Sequence, residues 1–73
     1  MFQKGDVVLW VNESYPELGL YQDKTVGIVA GMKDESLVRV LFPAAINTRN
    51  PDGEYPGEWH CGTHEVRKIE DEV

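Results

Sequence analysis

Thr25-Val-Gly-Ile-Val-Ala-Gly-Met-Lys-Asp-Glu-Ser-Leu-Val-Arg-Val-Leu-Phe42 reads as two β-branched runs joined by a polar turn. Val26, Ile28, Val29, Val38, Val40 and Phe42 are residue types that suit a pleated, half-buried surface, and Lys33-Asp34-Glu35-Ser36 supplies the polar residues of a turn. Alternation puts Val38, Val40 and Phe42 on one face and Leu37, Arg39 and Leu41 on the other. Arg39 sets the register, because a slip of one residue would bury its guanidinium and expose the valines. Gly27 and Gly31 weaken a strand unless they serve a bulge, a bend or a close backbone approach. Such curvature is what a very small barrel requires. The stretch is therefore expected to form the central hairpin of a mostly β fold.

Composition narrows the rest. A chain of 73 residues is one domain of a size that buries only about 60% of its unfolded surface. A nearly closed sheet is an economical way to satisfy its backbone. The net charge is −6, from seven basic and thirteen acidic residues, which counts against a general nucleic-acid binder and favours basic protein partners. The single cysteine, Cys61, leaves no internal disulfide and fits a reducing compartment, so a cytoplasmic location is expected. Neither a signal peptide, a membrane span nor a further domain is expected.

Outward from the hairpin, Gly5-Asp6 opens a first strand in which Val7, Leu9 and Val11 fall on one face and Val8 and Trp10 on the other. Both faces are apolar, and at least one is expected to be covered. Trp10 fits either a small core under the following loop or an exposed aromatic contact. Residues 12–24 hold Pro16 and Gly19 and no sustained period, and read as a long loop. Tyr15, Leu18, Leu20 and Tyr21 give that loop an apolar side that either plugs one barrel end or lines a shallow groove. Pro43–Gly53 is a second irregular segment closing on the turn sequence Asn-Pro-Asp-Gly. Glu54–His60 reads as a short edge or bulged strand interrupted by Pro56 and Gly57, followed by a tight turn and a last strand burying Val66 and Ile69. Glu70–Val73 is expected to fray.

Taken in order, Lys-Gly-Asp-Val-Val, a long loop, Gly27-Ile28-Val29, Val38, Val40 and Phe42 at alternate positions, and a final strand with Val66 and Ile69 resemble the SH3-like small barrels. KOW-type and mind-bomb-type modules are the most similar in pattern. The resemblance implies one SH3-like barrel over residues 1–73, of about five antiparallel strands with the long loop between strands 1 and 2. KOW modules in ribosomal and transcription proteins are basic and contact RNA or polymerase. This chain is acidic and longer at 43–53, a difference that points away from RNA. Small acidic chains of this style also resemble bacteriophage or bacterial accessory proteins that bind a host protein.

Chemistry-bearing clusters are few. His60-Cys61-Gly-Thr-His64 offers three metal-ligand types at a spacing unlike zinc knuckles, and reads as a turn in which Thr63 caps and Cys61 packs. A Cys61–His nucleophile pair lacks an orienting group and an oxyanion site, and no Gly-rich loop precedes a helix. No catalytic residue, metal or cofactor is expected. Trp10, Tyr15, Tyr21, Tyr55 and Trp59 are more aromatics than so small a barrel readily hides. Rimmed by Glu13, Glu17 and Asp23, they are the expected contacts for an Arg- or Lys-bearing protein partner. The alternatives are single-stranded nucleic acid held by the same aromatics with Arg39, Arg49, Arg67 and Lys68, and an acidic surface that imitates nucleic acid. A homodimer through an edge strand near Tyr55-Pro-Gly is a further expectation.

Overall fold

The polar link at Lys33–Ser36 turns the chain because the Asp34 side chain replaces missing backbone partners. Its Oδ1 accepts from the N–H groups of Ser36 (2.8 Å) and Leu37 (3.0 Å) and from the Ser36 hydroxyl, while Lys33 N–H donates to Leu37 O at 2.9 Å. These bonds hold the Asp34 carboxyl below its ordinary range, the Ser36 N–H contributing most. The flanking runs form β2 (Val26–Met32) and β3 (Leu37–Leu41). A computed structural model describes residues 2–69 and adds β1 (Val7–Trp10), β4 (Glu58–Gly62) and β5 (Val66–Lys68). All five strands are antiparallel neighbours in one sheet of order β4-β3-β2-β1-β5.

Both glycines of β2 have the work expected of them. Between Val29↔Val40 and Gly31↔Arg39 the register shifts by one residue, leaving Ala30 as a bulge with Gly31 at φ 148°. Gly27 lies under the core, where a Cβ would sit 2.5 Å from Val40 Cγ1 and 2.8 Å from Phe42 Cδ1. Val8, Val29, Val38, Val40, Phe42, Cys61 and Val66 pack on this one face, closed by Trp10 and by Leu20 and Ala45 from the two irregular segments. Trp10 is edge-on to Phe42 with ring centroids 5.9 Å apart.

The expected closed barrel is not formed: the sheet is open, with β4 and β5 as its edges. It is nevertheless strongly curled. Four strand spacings would separate β4 from β5 by about 19 Å in a flat sheet. Only Thr63–Glu65 link the two, and Glu65 N–H donates to Gly62 O at 2.8 Å, so the edges meet at one corner. β5, three residues long, pairs with β1 instead of β4. At the free edge of β4 the N–H groups of Glu58 and Gly62 bond to Tyr55 O (3.1 Å) and Glu65 Oε1 (2.6 Å), which occupies both ends of the edge near Tyr55-Pro-Gly.

Three other expectations are corrected. Residues 54–57 are turn, and the strand begins only at Glu58. Val66 is buried but Ile69 is 45% exposed, because positions three apart in a strand point to opposite faces. Trp10, 4% exposed, belongs to the core and is not an exposed contact; its indole N–H donates to Glu13 O at 2.8 Å. Residues 70–73, expected to fray, lie outside the described residues. Among the described residues no helix is long and apolar enough to cross a membrane.

Since Gly27 is walled by buried side chains that have no room to retreat, Gly27→Ala is expected to destabilise the fold by about 2 kcal/mol. Urea titration followed by tryptophan fluorescence measures it, with Gly5→Ala, where a Cβ meets nothing within 4 Å, as the strained but uncrowded comparison.

Candidate functional site

The long loop between β1 and β2 is itself folded. Tyr15 and Leu20 form an isolated antiparallel bridge, with Tyr15 N–H donating to Leu20 O at 2.6 Å, around a single 3-10 turn at Pro16–Leu18. At its base Thr25 is buried. Its Oγ1 accepts from Tyr21 N–H at 2.6 Å and donates to Gly19 O at 3.3 Å, while Asp23 N–H donates to Trp10 O at 2.6 Å. The loop's apolar side is divided: Leu20 packs into the core, Tyr15 stands half-exposed beside it, and Tyr21 is exposed away from it.

Between this loop and β4 lies a depression of about 150 Å³. Tyr15, Leu18 and Leu20 form the loop wall, Trp59 and Cys61 the β4 wall, and Trp10 and Glu65 come from β1 and the link into β5. It thus occupies the seam where the curled sheet stays open. The Trp59 indole N–H donates to Thr48 Oγ1 at 3.3 Å, and Tyr15 stands edge-on to Trp10 with centroids 6.2 Å apart. Glu13, Glu17 and Asp23 are exposed on the same loop. Of the expected aromatics, Trp10, Tyr15 and Trp59 are brought together here. Tyr21 is exposed on the loop outside the depression. Tyr55 lines a separate groove on the other face, with Ile28, Leu41 and Glu54.

On that outer face sits a group with little signal in the sequence. Glu58 has no exposed surface and its carboxylate is fully partnered. Oε2 accepts from Arg39 Nε (2.9 Å) and faces His60 Nε2 (3.0 Å); Oε1 accepts from the N–H groups of Glu54 (2.9 Å) and Tyr55 (3.3 Å) and from the Arg39 guanidinium (3.3 Å). Arg39 also reaches Glu54 at 3.0 Å. The Arg39 bonds, helped by His60 and the Glu54 N–H, outweigh the cost of burial and hold the Glu58 carboxyl down at about 2. Arg39 in turn is held more firmly charged than usual, chiefly by Glu58. The mid-strand arginine was the only hint of this cluster.

The remaining candidate chemistry is dispersed. His60 and Cys61 are neighbours on a strand and point to opposite faces, His60 beside Glu58 and Cys61 into the core. Burial, reinforced by Glu65, pushes the Cys61 thiol up to about 12, so the side chain packs in the core as a neutral thiol. His64 is exposed. Glu65, rather than Thr63, holds the turn, accepting from Gly62 N–H and from the Asn12 side chain. Of the basic residues expected for nucleic acid, Arg39 is engaged with Glu58 and Glu54, Arg67 with Asp23 at 3.7 Å and Lys68 with Asp6 at 3.4 Å. Arg49 is exposed.

Because the folded pKa of Glu58 is depressed, its contribution to stability is complete above its unfolded value near 4.5 and is lost as the pH falls toward 2. Thermal melts are expected to show the parent chain more stable than Glu58→Gln at pH 7, with the difference shrinking steadily below pH 4.5. Removing the partner instead, with Arg39→Met, leaves a buried charge and is expected to cost about 3–5 kcal/mol at pH 7. Compared with family models, with curated proteins and with solved structures, the chain matches none.

Proposed function

We propose that the chain is a non-enzymatic protein-binding module of the SH3-like kind, which engages a basic partner segment at the seam between the long first loop and β4. The fold part of this reading is supported by the strand order, in which β1 lies between β2 and β5 and β4 ends the other side, together with the long loop after β1. The observation that carries the functional part is the aromatic depression with its one-sided charge. About 150 Å³ suits one or two apolar side chains, and Tyr15 and Trp59 supply large, stiff contact area, with the buried Trp10 behind them. Exposed Glu13 and Glu17 on the adjoining loop, with Asp23 beside them shared with Arg67, favour Arg or Lys beside that apolar anchor. The same loop repels phosphate. Arg39, Arg67 and Lys68, three of the seven cations, are bonded to carboxylates and so are less available to follow a nucleic-acid backbone.

Selection of a random displayed peptide library on the purified chain tests the reading. Enriched peptides are expected to carry an aliphatic or aromatic residue flanked by Arg or Lys. Tyr15→Ala should weaken the best of them about tenfold, as should the combined Glu13→Gln, Glu17→Gln and Asp23→Asn change, with unaltered circular dichroism. Enrichment of acidic peptides, or affinity unmoved by both variants, would overturn it.

A further inference from the structure

β4 is an edge of the sheet, so half of its backbone groups face no strand. The register says which half. Thr63 N–H donates to Ser36 O at 3.1 Å and Phe42 N–H to Gly57 O at 2.9 Å, one beyond each end of the β3–β4 pairing. Bonded pairs alternate along an antiparallel ladder, so between those ends it is Val38 with Cys61 and Val40 with Trp59 that exchange bonds. Glu58, His60 and Gly62 therefore turn their N–H and C=O groups to the free edge. At the two ends the chain answers them itself, Glu58 N–H bonding to Tyr55 O, Gly62 N–H to Glu65 Oε1 and Gly62 O accepting from Glu65 N–H. In the middle it does not: among the described residues, neither the N–H nor the C=O of His60 has a hydrogen-bond partner, nor has the C=O of Glu58. That gap opens on the aromatic recess. His60 lines it, and because the His60 side chain turns to the outer face, toward Glu58, the main chain is what it presents there. Trp59 and Cys61, on either side, carry their side chains to the recess face.

We propose that the partner of the recess binds by strand addition, an extended basic segment lying antiparallel along β4 as one more strand of the sheet. The proposal rests on the peptide-binding reading above and supplies its mode. One partner residue sits opposite His60, its N–H donating to His60 O and its C=O accepting from His60 N–H, which continues the sheet's own antiparallel pattern. The partner residue two positions further on donates to Glu58 O. Side chains alternate, so the residue opposite His60 stays on the outer face while its two neighbours, opposite Trp59 and Cys61, enter the recess. This agrees with the one or two side chains that about 150 Å³ admits. Glu65 shuts the edge at Gly62, which keeps the added strand short and fixes its register. Charge selects the segment. Exposed Glu13 and Glu17 on the loop wall favour a basic one, whereas a second copy would bring another −6 chain and its acidic loop against the first.

Amide hydrogen exchange on the free chain and on its complex with the tightest peptide of the selection above tests this. In the free chain Trp59 and Cys61, bonded to β3, are expected to exchange slowly and His60 fast, whatever the chain concentration. The peptide is expected to slow the His60 amide by about tenfold or more. Methylating the peptide's backbone nitrogens one at a time is expected to cost about tenfold in affinity at the residue opposite His60 and again two residues on. Methylation of the residue between, whose N–H points away from β4, is expected to cost little. A His60 amide already slow in the free chain, one that slows as the free chain is concentrated, or a flat methylation scan would overturn strand addition. A flat scan on a peptide that Tyr15→Ala still weakens would sink this proposal and leave the peptide-binding reading standing, whereas a selection that enriches no peptide would sink both.

Discussion

A carboxylate sealed from water must be paired or it costs the fold several kcal/mol, and Glu58 meets that demand only if three separate parts of the chain are in place at once. Arg39 has to stand diagonally across from it on β3, opposite His60, which follows Glu58 by two residues on β4, and the backbone at Glu54 and Tyr55 has to fold over the top with both N–H groups inward. Register, edge and loop are thereby tied to one atom pair. The same bonds that neutralise Glu58 position the β3–β4 pairing that brings Trp59 and Cys61 to the seam on the opposite face. An apolar residue at position 58 could fill the space but could not dictate where residues 53–57 lie, so specificity of the loop is what the ion pair contributes.

The two faces of the sheet divide the surface chemistry. On the concave side, aromatics and an acidic loop frame a small recess. On the outer side, Val7, Val26, Ile28 and Ile69 stay partly exposed, bordered by the Arg39–Glu54 and Arg67–Asp23 pairs. An open five-stranded sheet makes this possible: the seam between β4 and β5 becomes the recess, and the outer face, lacking a second layer, stays uncovered among the described residues.

How much of this was legible depended on whether the deciding interaction was local. The turn at Lys33–Ser36, the Asn50–Gly53 turn, the face shared by Val38, Val40 and Phe42, and the bulge and close approach at Gly31 and Gly27 follow from period and turn chemistry, and they stand where the sequence puts them. The sheet stays open because β5, only three residues long, pairs with β1 on one edge and leaves its other edge unpaired with β4. Ile69 was assigned to the core on hydrophobicity although its spacing from Val66 sends it outward. In the candidate site, Tyr15 and Trp59 line one depression while Tyr21 and Tyr55 do not, a distinction set not by residue type but by how the first loop folds back through Thr25 and by the turn that carries Tyr55 to the other face. Glu58 is one carboxylate among thirteen acidic residues, and nothing in its neighbours announces that, among the described ones, it is the one buried.

The pairing of β1 with β5 has a further consequence in chain entropy. Every other strand pair joins segments adjacent in sequence, whereas Val8 meets Lys68 across nearly the whole chain. Closing so long a loop is the largest single entropic step, and it yields no contact until it is complete. Trp10 and Glu65, the residues that join the recess from that side, come together only through this step. The central hairpin and its neighbour β4 form a unit of local contacts, but the recess does not exist within that unit. Recognition at the seam is therefore a property of the fully assembled chain, and any partner that binds there reports on, and stabilises, the union of its two most distant strands.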